Sequence, residues 1–172
     1  QRDPEVALEL ALSTRRDDDL RHARLNHAAA AARFLLPTAP PGAAETLRRV
    51  LVTALDQLIV RGVARADLEK TVPLVQELAQ HAPDHPRRGW FAAERVRETG
   101  FDAIALARLE EVIARYPRYL PALRLGLDLA RATGDPLLEL RWAERRLARD
   151  ARDRVARGRW LNLHHRVTGP VD

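Results

Sequence analysis

Arginine is the residue type through which this sequence could do most chemistry. The chain holds 29 lysines and arginines in 172 residues, and Lys70 is its one lysine. On the stretch from Leu137 to Asp150, Arg141, Arg145 and Arg149 recur at i, i+4 and i+8, with Trp142 and Arg146 beside them. That spacing forms a ridge along one side of a helix. Guanidinium forks grip carboxylates and phosphates in bidentate fashion. A ridge with one aromatic therefore suits an acidic peptide, a polyanionic polymer or nucleic acid as partner. Like charges four residues apart oppose helix formation slightly, which hints that the ridge is kept for a reason. The competing reading is a solvated face with Trp142 packed on a neighbouring hairpin, the preference for arginine reflecting codon usage in a GC-rich bacterial genome. No groove-reading motif accompanies the charge, so dedicated nucleic-acid binding is not expected. The charge is also uneven. Between Arg141 and Arg166 nine arginines face only Glu144, Asp150 and Asp153, so this stretch exceeds the whole chain's net charge of +5.

Catalytic and metal-binding chemistry find less material. Ser13 is the one serine, cysteine is absent, and neither a Gly-x-Ser-x-Gly elbow nor a phosphate-cradling glycine loop occurs. Adjacent carboxylates such as Glu110 and Glu111 project about 100° apart on a helix and cannot bracket one bond. His81 and His85 are four apart with Pro83 between them, which breaks the shared helical face that a zinc-binding pair needs. With Asp84 they could chelate a cation, but solvated loop histidines are the simpler account. The same holds for His22, His27 and the pair His164-His165. The sequence therefore reads as a non-enzyme without cofactor or metal.

The elements that would carry these residues are helices. Apolar residues make up 46% of the chain, mainly Leu, Ala and Val, and Leu, Ala, Arg and Glu are among the better helix formers. Residues 102–116 place Ala105, Leu106, Leu109, Val112, Ile113 and Tyr116 on one face and charged residues on the other. Leu120 to Ala132 is apolar nearly all round, with Arg124, Asp128 and Arg131 as its single polar strip, the pattern of a helix held between neighbours. Thr133-Gly134-Asp135-Pro136 ends it with a left-handed glycine and starts the next with an Asp cap and a first-turn proline. On that next helix Leu137, Leu140, Ala143 and Leu147 are expected to face the core. Earlier, Asp3-Pro4 opens a helix, and Asp17-Asp18-Asp19 makes a charged turn before Leu20 to Leu36. In that helix Ala28 to Ala32 offers a close-packing surface. Ala43 to Val60 and Leu68 to Gln80 read as further helices, with Asp67 as the cap of the second. Pro73 implies a kink there or a later start. Asn-Gly and Asp-Gly hairpin signals are absent.

Prolines mark the joins. Pro4, Pro37, Pro83 and Pro117 lie 33, 46 and 34 residues apart. Removing the loop-like insertion around Pro37-Thr38-Ala39-Pro40-Pro41-Gly42 leaves a period near 34, the spacing of a helical array. This divides the chain into a degenerate hairpin (1–36), a proline-rich loop (37–42), a hairpin (43–85), two repeats (86–119 and 120–153), and a capping helix with tail (154–172).

From about Arg87 to Asp153 the chain resembles two tetratricopeptide repeats. The matching residues are Ala93, Gly100, Ala105, Leu109, Val112 and Pro117 in the first, and Gly126, Ala130, Gly134, Ala143 and Leu147 in the second. Glu139, Arg146, the order Gly126-Leu127 and Ala151 depart from the pattern. The resemblance implies an all-α, right-handed superhelical stack of antiparallel helix–turn–helix hairpins, each too small to bury its own apolar face. It also implies a partner protein or peptide bound in the groove of the first helices, presenting here Trp90, Glu94, Arg97, Arg124, Asp128 and Arg131. By the same analogy the chain is a scaffold or adaptor in a bacterial assembly, plausible at the cell envelope, in secretion or in exopolysaccharide export. Two other roles compete: a polyanion-binding module, for an acidic polymer or nucleic acid, using the arginine-rich C-terminal helices, and a regulatory or targeting domain attached to an enzyme. The chain opens on Gln1 and lacks methionine throughout, and it reads as a processed protein or a piece of a longer one. No apolar run approaches the ~18 residues needed to span a bilayer, so any membrane link would come through flanking sequence. The compartment stays open between cytoplasm and periplasm. Far-ultraviolet circular dichroism should show a helix-dominated spectrum; a substantial strand component would contradict the architecture.

Overall fold

The structure is a computed structural model and describes residues 3–13 and 18–168. Among these the regular elements are all helical: α1 (Pro4–Ser13), α2 (Asp18–Leu35), α3 (Pro41–Ala64), α4 (Leu68–His81), α5 (Arg87–Glu98), α6 (Asp102–Arg115), α7 (Leu120–Ala132), α8 (Pro136–Arg149) and α9 (Arg154–Thr168), with one 3-10 turn at Leu36–Thr38. The fold is all-α, as the periodicity predicts. The chain forms two compact units that divide between His85 and Pro86, and within each unit the helices pack consecutively.

In the first unit α1 packs on α2, α2 on α3 and α3 on α4. The alanine run performs the expected close approach, since Ala28, Ala29 and Ala32 are all fully buried. Leu51, Leu55, Leu58 and Ile59 of α3 fill the core beside them. α3 is longer than its sequence pattern suggested. It begins at Pro41, so Pro41-Gly42 is a first helical turn rather than loop, and it runs on to Ala64. A first-turn proline needs no N–H partner, which is why the helix can start there. Asp67 stands at the N-cap position of α4 but does not cap with its carboxylate, which pairs with Lys70 at 2.9 Å instead. Pro73 is exposed within α4, and the helix starts at Leu68, not later. Arg61 is buried and pairs with the Asp18 carboxylate at 2.7 Å, joining α3 to the start of α2; the hydrogen bond from Arg61 holds the Asp18 carboxyl below its usual range. Asp17 of the expected charged turn lies outside the described residues, as does the tail from Gly169.

In the second unit α5 packs on α6, α6 on α7, α7 on α8 and α8 on α9. The face of α6 is the predicted one: Ala105, Leu106, Leu109, Val112 and Ile113 are buried. α7 also matches, with Arg124, Asp128 and Arg131 exposed and the remaining faces covered. Gly100 and Gly134 take φ of 80° and 74° in the two turns, where a left-handed residue ends the helix at least cost. The Asp135 carboxylate accepts from Leu137 N and Leu138 N and caps α8. At the other end of α8, Asp153 accepts from Val155 N and Ala156 N and caps α9.

α8 is rotated from its expected orientation. Leu137 is 57% exposed, Leu140 and Leu147 are half-buried, and the inward face is Glu139, Trp142, Ala143 and Arg146. The cause is the indole. Trp142 is fully buried, and its six-membered ring lies where a Cβ on Gly126 of α7 would otherwise sit. Burying that ring outweighs burying two leucines at the helix ends. Gly126→Ala should therefore destabilise the protein by about 1–3 kcal/mol, measured by denaturant unfolding with tryptophan emission as the probe. An unchanged midpoint would contradict this packing.

Candidate functional site

The arginine ridge of α8 does not survive as a free surface. Trp142 lies inside the α7–α8 pair, so it is no aromatic companion for a ligand. Arg146 is buried as well and pairs with Asp153 at 2.7 Å. Arg145 pairs with Glu110 of α6 at 2.6 Å, its guanidinium 5.2 Å from the Trp142 ring. Arg149 donates from Nε to the Arg118 carbonyl at 2.9 Å. Of the predicted set only Arg141 is exposed without such a tie. The i, i+4, i+8 spacing is present, but Arg145 and Arg149 hold α8 onto α6 and onto the α6–α7 turn.

The first-helix surface fares differently. α5 and α7 bound a cleft of about 520 Å³, lined by Glu94, Arg97, Asp102, Leu125, Asp128 and Leu129 among others. Three of the residues expected on that surface, Glu94, Arg97 and Asp128, thus meet around one depression. Arg124 and Arg131 are exposed on α7 but do not line it. Trp90 is displaced from the expected surface: it is only 6% exposed and packs against the Arg87 guanidinium, 4.6 Å from its ring. Tyr119 approaches the same guanidinium at 5.3 Å, so Arg87 is held between two aromatic faces by cation–π attraction.

Glu94 is the unusual member of the cleft. Its residue surface is only 7% exposed, and Oε2 accepts from Arg97 Nε at 2.8 Å. Burial pushes its carboxyl above the usual range. Arg97 opposes the rise by charge and hydrogen bond, while Glu98 and Asp128 add to it. A buried acid with an exposed carboxylate in the same cleft favours a cationic group arriving from outside. The signal is legible in part: repeat position points to Glu94, Arg97 and Asp128, but not to Asp102 or to the apolar walls Leu125 and Leu129. Those walls belong to a helix that is apolar nearly all round, where no pattern marks which apolar residue meets a cleft.

A second depression, about 690 Å³, lies in the first unit and is mostly apolar, with Pro4, Leu35, Pro40, Ala43 and Leu47 in its wall. Nothing in the sequence had marked it. The histidines do not assemble. His85 Nδ1 faces Asp56 at 3.8 Å and His164 stacks on Trp160 at 4.7 Å. Among the described residues no group of three His, Asp or Glu gathers to hold a metal ion, and no helix is long and apolar enough to cross a membrane.

No protein-family model matches the chain, and no curated protein is significantly similar to it.

The raised Glu94 carboxyl has a stability consequence. An acid whose folded pKa lies above its unfolded value binds its proton more tightly in the folded state, so the fold gains as pH drops through the folded pKa and the ionised form costs stability at neutral pH. Glu94→Gln should therefore raise the thermal midpoint at pH 7, and the gain should close as pH falls toward 4.5, the ordinary glutamate value. A gain equal at both pH values, or a loss at pH 7, would contradict the assignment.

Proposed function

We propose that this chain is a protein-binding scaffold segment of the tetratricopeptide-like kind, which takes an extended, basic segment of a partner protein into the cleft between α5 and α7. The observation that carries it is the cleft itself: apolar walls from Leu125 and Leu129, with the buried Glu94 and the exposed Asp128 also in its lining. An incoming arginine or lysine would relieve the burial cost of Glu94, which water reaches poorly. Apolar walls with a few placed charges are the usual composition of a peptide site.

The repeat resemblance supports the reading from a second side. Ala93, Ala105, Ala130 and Ala143, the small residues of the pattern, are fully buried where adjacent helices meet, and Gly126 admits the Trp142 ring. In such arrays the first helix of each hairpin lines the binding surface, and α5 and α7 hold that place in the two repeats. A role as an adaptor, with no catalysis and no cofactor, follows from the same reading. The right-handed superhelix implied by the family belongs to this proposal too.

Selection of a displayed random-peptide library on the intact chain tests it. Enriched sequences should carry at least one arginine or lysine with flanking apolar residues. Their affinity should fall at least tenfold with Asp128→Lys and change less than twofold with Arg124→Ala. Enrichment of acidic sequences, or insensitivity to Asp128→Lys, would overturn the reading.

A further inference from the structure

One end of the second unit exposes six arginines. Two contacts fix which residues share it. Arg87, the first residue of α5, meets Tyr119 of the α6–α7 turn at 5.3 Å, and Arg149, the last of α8, donates to the Arg118 carbonyl in that same turn. The start of α5, the end of α6, the start of α7, the end of α8 and the start of α9 therefore lie together. Exposed there are Arg88, Arg115, Arg118, Arg149, Arg152 and Arg154.

Two of these are what any helix wants. Arg115 and Arg149 sit in the last turns of α6 and α8, where a cation complements the helix dipole. The others run against it. Arg118 immediately precedes the N-cap of α7, Arg152 precedes Asp153 at the head of α9, and Arg154 is the first residue of α9. Arg88 lies in the first turn of α5, and the first turns of α5, α7 and α9 hold no acid. At the opposite end of the unit the usual arrangement holds: α6 opens on Asp102 and α8 on the capping Asp135. Asp153 caps α9 in the same way, so helix economy leaves unexplained only Arg88 and Arg118 at the uncapped starts of α5 and α7 and the arginines that flank Asp153. The acids near the arginines are engaged by their own turn. Asp150 accepts from Arg152 N, and Asp153 caps α9 and pairs with Arg146. Among the described residues no carboxylate is within ion-pairing distance of Arg118, Arg152 or Arg154.

We infer that this end is a docking surface for an acidic segment of a partner protein, a run of aspartates and glutamates whose carboxylates engage Arg118, Arg152 and Arg154. Carboxylates pair with guanidinium forks and also suit the positive end of α7, which no side chain caps. Two other anionic partners fit less well. Single-stranded nucleic acid needs exposed aromatic rings on which bases stack, and here Tyr116 and Tyr119 are half-buried, with Arg115 at 5.6 Å and Arg87 at 5.3 Å from their rings. A bilayer surface is best held by apolar side chains set among the charges, and Val155 is the one large apolar residue exposed near these arginines among the described residues. This surface is separate from the α5–α7 cleft, so either can fail without the other.

The test is fluorescence anisotropy with a labelled twelve-residue oligoglutamate peptide and the intact chain. Binding should weaken as sodium chloride rises from 50 to 200 mM. The triple reversal Arg118→Glu, Arg152→Glu and Arg154→Glu should cut affinity at least tenfold, while Arg131→Glu with Arg141→Glu, exposed elsewhere on the unit, should change it less than twofold. The same triple reversal should leave the thermal midpoint unchanged or raise it, because acids suit helix N-termini; a merely structural role for these arginines would lower it. Equal loss with both reversals would overturn the proposal. So would tighter binding, at equal salt, of a twelve-nucleotide oligothymidylate or of phosphatidylserine-containing vesicles than of the oligoglutamate.

Discussion

The second unit depends on one buried ring. Trp142 of α8 enters the space that Gly126 leaves on α7, and no other residue than glycine would leave it. That contact sets the rotation of α8 about its own axis. Once Trp142 points inward, Arg146 and Glu139 are carried inward with it, Leu137 is turned out, and Arg145 and Arg149 come within reach of Glu110 and the Arg118 carbonyl. The arginines that looked like a ligand surface thus become ties between α8 and its neighbours. A buried arginine such as Arg146 is tolerated because Asp153 meets it at 2.7 Å, and an unpaired charge at that depth would not be.

The same rotation shapes both candidate surfaces. With α8 covering one side of α7, the exposed strip of α7 is confined to Arg124, Asp128 and Arg131. Asp128 is the member of that strip that lines the cleft with Glu94 and Arg97 of α5. At the arginine end, Arg149 anchors the α6–α7 turn and leaves the Arg118 side chain exposed beside it. The cleft is acidic where the turn end is basic.

Most of the architecture was legible in the sequence. The amphipathic period of α6, the all-round apolar character of α7, the Gly134-Asp135-Pro136 stop and start, and the alanine surface of α2 each depend on local pattern, and each holds. The face of α8 was not legible. Its leucines repeat at helical spacing, and a pattern reading assigns leucine inward before tryptophan. Only the vacancy at Gly126, sixteen residues away, reverses that order. The start of α3 was missed for a smaller reason: Pro40-Pro41-Gly42 is loop-like in composition, yet Pro41 is compatible with a first turn. Of the site, Glu94, Arg97 and Asp128 could be named from repeat position, whereas the arginine end could not. Its members are scattered across two turns and four helix ends, and only tertiary structure collects them.

Hydrogen exchange on Trp142→Ala tests the central claim most directly, because it reads α7 and α8 separately from the rest of the chain. If Trp142 aligns the two helices through Gly126, the substitution should cost about 3–5 kcal/mol and strip backbone protection from both α7 and α8. Protection in α7 and α8 that matches the unsubstituted protein would contradict it.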